Sequence, residues 1–148
     1  MLANITKLKN FQTLSYPALR SISTTQKLNL DNILKVHDEM DFHRKVLTAE
    51  VPVLVGFYSK KCNLCKMQIP KTSMIANEYK DKILMAEVYV EDAKEVAKHH
   101  DIKTIPSHAY FKAGQMMKQL PGLQEMDNIR KFLQHNMEIH EHLHEQVE

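Results

Sequence analysis

Residues 53–65 read Val-Leu-Val-Gly-Phe-Tyr-Ser-Lys-Lys-Cys-Asn-Leu-Cys, and this stretch decides the fold. The apolar run over residues 53–58 has the length of a buried β-strand. The apolar positions that follow recur at helical spacing over residues 62–80, where Pro70 removes one backbone hydrogen bond and predicts a kink. The sequence therefore predicts a buried strand that leads directly into a helix, with Cys62 at the helix start.

The patterns on either side of this stretch complete an α/β domain. Upstream they predict a short strand near residues 34–36 and a helix that starts at Asp38. Downstream they predict a strand over 83–90, a short helix over 93–99, a hairpin of 107–112 with 115–120, and a closing helix over 124–137. This order of strands and helices predicts a mixed central β-sheet flanked by helices on both faces.

Cys62 and Cys65 are the only cysteines of the chain, and two residues separate them. Unpaired backbone N–H groups and the helix dipole favour a thiolate at a helix N-terminus, and Lys60, Lys61 and Lys66 add positive charge. We therefore expect Cys62 to be a nucleophile near neutral pH. Cys65 lies one turn further on and can close onto Cys62, which would resolve a mixed disulfide internally.

The same cysteine spacing also supplies half of many zinc sites, so metal use stays an alternative. A structural zinc site requires four ligands, and the adjacent pair His99 and His100 has the wrong spacing to complete one. The histidines near the C-terminus alternate with acids and fit a solvated helix end. Zinc or cluster binding and inert packing of the two thiols remain the alternatives to redox chemistry.

The N-terminal leader differs in composition from the rest of the chain. Residues 1–27 are basic and rich in Ser and Thr, and the first acidic residue is Asp31. These properties are typical of a mitochondrial transit peptide, with a disordered basic tail as the alternative. We divide the chain into this leader, a domain over residues 28–140 and a His/Glu-rich tail over residues 141–148.

Charge and hydropathy exclude two classes of partner. The excess of basic residues lies in the leader, so the domain itself carries no basic surface that would indicate nucleic acid. No apolar run approaches the roughly 20 residues needed to cross a bilayer, so we expect no membrane partner.

Several landmarks in order resemble the thioredoxin family over about residues 33–137. They are the strand over 52–58, the dithiol, the helix with its proline at Pro70, the loop ending in Ile105-Pro106, the hairpin at 111–114, and Gly122. The resemblance implies the thioredoxin fold. It also implies that Pro106 is a cis-proline beside the dithiol, where a proline in an ordinary turn would be the plain alternative.

The resemblance further implies a protein-disulfide reductase and electron carrier that supports cell redox homeostasis in the mitochondrial matrix. Cys62 would attack a client disulfide and Cys65 would release the product, so that both form a redox-active disulfide. No cofactor would be bound, and electrons would come from NADPH through thioredoxin reductase. Other partners would be peroxiredoxins and further disulfide-containing clients, and the protein would be a monomer. The implied substrate-binding residues are Lys61, Asn63, Leu64, Ile105, Pro106 and Gly122.

The chain departs from the family pattern at the site itself. The family's Trp-Cys-Gly-Pro-Cys is Lys-Cys-Asn-Leu-Cys at residues 61–65, and the chain contains no Trp. Gly56 replaces a buried Asp that would take the proton of Cys65, and Glu87 is a candidate replacement acceptor. Weakened catalysis makes a thioredoxin-fold binding module the main alternative function, followed by a dithiol metal or cluster carrier.

Overall fold

A computed structural model describes residues 32–145, with side chains described for residues 32–139. The predicted leader, residues 1–27, lies outside the described residues. The elements follow in this order: β1 (Ile33–Val36), α1 (Glu39–Phe42, continued by a π-turn over His43–Leu47), β2 (Val53–Tyr58), α2 (Asn63–Glu78), β3 (Leu84–Tyr89), α3 (Lys94–His99), β4 (Ser107–Lys112), β5 (Gln115–Pro121) and α4 (Met126–Glu145).

The strands form one mixed sheet in the order β1-β3-β2-β4-β5. β3 runs parallel to both β1 and β2, whereas β4 runs antiparallel to β2 and β5. β2 therefore lies at the centre of the sheet, and all six of its residues are buried, as the apolar run predicts. The predicted mixed α/β sheet is confirmed.

Helices cover both faces of this sheet, because side chains alternate between the two faces of each strand. Val55 and Phe57 of β2 pack with Phe42 of α1 and Val96 of α3 in one hydrophobic cluster. Leu54 of β2 packs with residues of α2 and α4 in a second cluster, which contains Ile75, Ile129 and Leu133. By the same alternation, Gly56 and Tyr58 lie on the face that α2 and α4 cover.

The final helix differs from its predicted range. The sequence predicts it over residues 124–137, but it spans Met126–Glu145 and so includes most of the predicted tail at 141–148. No Gly or Pro interrupts residues 126–145, so the local sequence contains no helix-ending signal at Met137. At the N-terminal end, Gln124 lies before the helix, and its backbone N–H donates to the side-chain oxygen of Gln68 at 2.6 Å.

Within residues 32–145, no helix is both long and apolar enough to cross a lipid bilayer.

Candidate active site

The dithiol lies where β2 leads into α2. Cys62 is the N-cap of α2, with an extended backbone at φ −91° and ψ 115°. Its Sγ accepts the N–H of Cys65 at 3.1 Å, so the sulfur takes the capping position that Ser or Asp commonly fills. Cys62 is half-buried, whereas Cys65 is completely buried one turn into the helix. The first thiol is therefore accessible to a partner, and the second is sheltered.

The two thiols differ in chemistry because their surroundings differ. Burial, followed by the hydrogen bond with Cys62, raises the pKa of Cys65 to about 11. A hydrogen bond from the backbone N–H of Ser59 acts in the opposite direction and favours the thiolate. Cys65 is therefore a protonated thiol near neutral pH, and it must lose that proton before it can act as a nucleophile.

The loop that contains Pro106 approaches the same end of the sheet. The peptide bond between Ile105 and Pro106 is cis, as the family resemblance implies. Ser107 pairs with Phe57, so Pro106 lies beside the end of β2 from which the dithiol loop leaves. Gly122 donates its N–H to the carbonyl of Pro106 at 2.8 Å, which brings this predicted residue to the same place.

The other predicted binding residues line the surface around the dithiol. Lys61, Asn63 and Leu64 are exposed, Leu64 to 49%. Ile105 is half-buried and packs in part against the cluster under α1 and α3. These side chains are positioned to contact a partner, and their role in binding stays a prediction.

Gly56 lies between two ionisable residues of the sheet, with Glu87 of β3 on one side and His108 of β4 on the other. Glu87 is half-buried, and desolvation raises its pKa while Lys35 lowers it. The negative charge of Glu91 contributes to the raised pKa of Cys65, after burial and the hydrogen bond with Cys62. The assignment of Glu87 as a proton acceptor therefore stays a prediction.

Sequence reasoning missed a buried polar cluster beneath the dithiol helix. It consists of Tyr58, Gln68, Thr72 and His108, all of which are buried. The Thr72 hydroxyl lies 2.9 Å from Nε2 of His108 and 3.4 Å from the amide nitrogen of Gln68. Gln68 and Thr72 follow Cys65 by three and seven residues, a spacing that places all three on one helix face. Polar residues at that spacing, where apolar ones were expected, were the available signal.

Two atoms of this cluster have no standard hydrogen-bond partner among the described residues, namely Nδ1 of His108 and the hydroxyl of Tyr58. Burial lowers the pKa of His108 to about 4, so its imidazole is neutral at physiological pH. Burial raises the pKa of Tyr58, and the nearby Thr72 hydroxyl offsets part of that rise. The floor beneath Cys65 is therefore polar and uncharged.

Metal ligation has little support in the described part of the chain. Among residues 32–139, no group of three or more His, Cys, Asp or Glu side chains could hold a metal ion. The two thiols alone fall short of the four ligands of a structural zinc site.

Comparison with known proteins identifies relatives of the whole domain. The family model described as Thioredoxin matches residues 33–135. The chain is 26% identical over 123 residues to mitochondrial thioredoxin of Bos taurus, covering 83% of this chain and 73% of that protein. It is 32% identical over 105 residues to thioredoxin C-2 of Corynebacterium nephridii, covering 71% of this chain and 96% of that protein. Mitochondrial thioredoxin of Mus musculus is 28% identical over 98 residues, which are 66% of this chain and 59% of that relative.

Proposed function

Because this chain belongs to the thioredoxin family, we propose that it reduces protein disulfides through a reversible Cys62–Cys65 dithiol. The observation that carries the proposal is the pairing of a half-exposed Cys62 at the start of α2 with a buried Cys65 one turn further on. The accessible sulfur can reach a client, and the sheltered sulfur is held ready to displace that client.

The reaction transfers two electrons from the dithiol to the client. The Cys62 thiolate attacks one sulfur of the client disulfide, so a Cys62–client bond forms and the other client sulfur leaves as a thiolate. Cys65 loses its proton and attacks Sγ of Cys62, which closes the Cys62–Cys65 disulfide and breaks the Cys62–client bond. Protons from solvent neutralise the released thiolates, and Cys62 and Cys65 are the oxidised partners.

The surface around the dithiol supports the role of client binding. Lys61, Asn63 and Leu64 flank the nucleophile, while Ile105, Pro106 and Gly122 face the same end of the sheet. Extended client backbone would bind beside Pro106, whose nitrogen has no hydrogen to donate. Thioredoxin reductase, supplied with NADPH, would return electrons to the dithiol, and the protein itself would bind no cofactor. Peroxiredoxins are proposed among the clients, and the working unit is proposed to be a monomer.

The decisive experiment is reduction of insulin disulfides by the full 148-residue chain, with NADPH and thioredoxin reductase. Wild-type protein should turn over, and Cys62→Ser and Cys65→Ser should both abolish turnover. Cys65→Ser should in addition trap a client covalently through Cys62. Met74→Ser, an exposed change further along α2, is the matched control and should leave the rate unchanged.

A binding module is the second candidate, and the Gly56 position favours it. No carboxylate lies at residue 56 to accept the Cys65 proton, so resolution of a mixed disulfide is slow unless another group acts. Absence of turnover with both thioredoxin reductase and dithiothreitol would favour this candidate over the reductase. Metal analysis of anaerobically purified protein would test the dithiol carrier.

We also propose that the protein acts in the mitochondrial matrix and that residues 1–27 direct it there. The support is the basic, acid-free composition of this leader, together with the similarity to mitochondrial thioredoxins. The full chain carrying a C-terminal tag should enter mitochondria and become shorter, whereas a chain lacking residues 1–27 should stay in the cytosol. Import of the truncated chain would contradict the proposal.

A further inference from the structure

The loop that carries Cys62 is held in place by Glu91 and Asp92, two acidic residues that follow β3. β2 and β3 run parallel with Tyr58 beside Tyr89, and the N–H of Val90 donates to the Tyr58 carbonyl at 2.9 Å. The segments that follow β2 and β3 therefore leave the sheet side by side. This places Glu91 and Asp92 against the dithiol loop, although 32 residues separate Ser59 from Glu91 in sequence.

Glu91 makes two hydrogen bonds to this loop through one carboxylate oxygen. Oε1 accepts the Ser59 hydroxyl at 2.5 Å and the backbone N–H of Lys60 at 3.1 Å. The Lys60 ammonium in turn contacts Asp92 at 2.5 Å. Glu91 thus fixes both the side chain of Ser59 and the main chain immediately after it.

Ser59 is the residue through which this tether reaches both thiols. Its carbonyl accepts the N–H of Cys62 at 3.2 Å. Hydrogen bonding from its own backbone N–H lowers the pKa of Cys65. That N–H favours the Cys65 thiolate, while burial and the Cys62 hydrogen bond oppose it. A fixed donor aimed at the atom where charge develops stabilises that charge most when it need not reorganise.

We propose that Glu91 is a positioning residue for the resolving step, in which it holds the Ser59 N–H against Cys65 while negative charge develops on Sγ. The inference rests on the proposed reductase function and assigns a role to a residue outside the dithiol. The charge of Glu91 acts in the opposite sense, because a nearby carboxylate disfavours a thiolate. The hydrogen bonds of Glu91 therefore favour the Cys65 thiolate, whereas its charge disfavours that thiolate. Substitutions at residue 91 can separate these two effects.

The separation uses Glu91→Gln and Glu91→Ala. Gln keeps an oxygen that can accept from Ser59 and Lys60 but loses the charge, whereas Ala loses both. Glu95→Ala is the matched control, because Glu95 is exposed in α3 and pairs only weakly with Lys98 at 3.9 Å. Comparing Ala with Gln at position 91 isolates the anchoring hydrogen bonds from the change in charge.

The assay is stoichiometric oxidation of the reduced full chain by DTNB, an aromatic disulfide that releases a coloured thiolate. Cys62 attacks DTNB and releases one thiolate in a first phase. Cys65 then loses its proton, directly or through Glu87, to the solvent, attacks Sγ of Cys62 and releases the second thiolate. The second phase is the resolving step, and it requires neither thioredoxin reductase nor a natural client.

We expect the second phase of Glu91→Ala to be about tenfold slower than that of Glu91→Gln, because a charge-assisted hydrogen bond has lost its alignment. The first phase should change by less than about twofold in both variants, and Glu95→Ala should match wild type. Ser59→Ala combined with Glu91→Ala should be no slower than Glu91→Ala alone, since both remove the same tether.

Equal second phases in Glu91→Ala and Glu91→Gln would overturn the inference, as would an equal slowing of both phases in Glu91→Ala. Additive effects of Ser59→Ala and Glu91→Ala would overturn it as well. Release of only one thiolate by wild-type protein would overturn the proposed reductase function itself, and with it the resolving step. If wild-type protein releases two thiolates and the second phase is unchanged in the Glu91 variants, this inference alone would be overturned.

Discussion

The ring of Tyr58 occupies the space that a side chain at residue 56 would need. A β-carbon on Gly56 would lie 2.6 Å from Cζ and 2.8 Å from Cε2 of Tyr58, closer than such atoms approach in proteins. Both residues are fully buried in β2, and they point toward the same face of the sheet. Glycine at 56 and tyrosine at 58 are therefore a matched pair, and the pair excludes an acid from the position beneath Cys65.

This pairing predicts that the effect of a substitution at residue 56 on the free energy of unfolding depends strongly on the side chain at residue 58. Gly56→Ala should lower the free energy of unfolding by about 2 kcal/mol, because it overpacks the Tyr58 ring in a buried strand. In a Tyr58→Ala background the same change should cost much less, since the ring is gone. Urea denaturation of the four proteins measures the coupling.

Gly122→Ala is the control for this cycle. A β-carbon there would meet no atom within 4 Å, but its φ of +83° makes any side chain strained. Its cost should therefore be the same in the wild-type and Tyr58→Ala backgrounds. An equal cost of Gly56→Ala in both backgrounds would contradict the pairing.

The resolving step should speed up with pH well beyond neutrality. The pKa of Cys65 is raised to about 11, chiefly by burial, so its thiolate fraction rises about tenfold per pH unit below that value. The second phase of the DTNB reaction should follow this rise from pH 7 to pH 10 in Glu87→Gln, where no carboxylate beside Gly56 takes the proton first. Cys65→Ser should lack the phase entirely. A plateau already reached near pH 8 would show that the thiol titrates much lower.

Glu87→Gln tests whether the half-buried acid beside Gly56 takes the Cys65 proton. Desolvation raises the pKa of Glu87, which makes its carboxylate a better base than an exposed one. The second DTNB phase at neutral pH should slow at least about tenfold when this base is removed. Glu95→Gln, an exposed change in α3 where the acid lies 3.9 Å from Lys98, is the control. An unchanged second phase in Glu87→Gln would remove Glu87 from the mechanism.

Stability should fall in mild acid because His108 is buried in its neutral form. Its folded pKa of about 4 lies below the ordinary value of 6.5, so the unfolded chain binds the proton more readily. The contribution of His108 is intact above pH 6.5 and is lost as the pH falls toward 4, by about 3 kcal/mol in total. Urea denaturation at pH 7 and pH 5 measures the first part of this loss.

His108→Gln is the variant that isolates this effect, because Gln can still bond to Thr72 but does not titrate. Burial also lowers the pKa of His100, with His99 contributing, so a smaller pH dependence should remain in the variant. A variant as sensitive to acid as wild type would assign the dependence to other groups.

Most of the fold could be predicted from short-range patterns. The apolar run at 53–58 predicted β2 because six consecutive buried residues need a central strand, and the turn at Ala113-Gly114 predicted the hairpin, where both residues have positive φ. Helix ends were predicted less well. The predicted end of the last helix at Met137 was wrong, because residues 126–145 contain no Gly or Pro that would end a helix there.

The residues of the site divide in a similar way, into those that local sequence patterns predicted and those that they did not. The position of Cys62 and Cys65 at a helix start could be predicted from their place after a strand, because the capping geometry of a helix start is local. Tyr58, Thr72 and His108 could not, because Thr72 and His108 are 36 residues apart and meet only when α2 packs on β4. The Ser59–Glu91 contact likewise depends on the register of two parallel strands.

The sequence by itself therefore determined the order of strands and helices, the position of the dithiol at a helix start and the absence of an acid at residue 56. Periodicity and capping act over a few residues, so they can be read along the chain. Only the tertiary structure decided that Tyr58 fills the space beside Gly56, that an uncharged polar cluster lies beneath Cys65, and that Glu91 holds Ser59. Those contacts depend on strand register and close packing between segments that are distant in sequence.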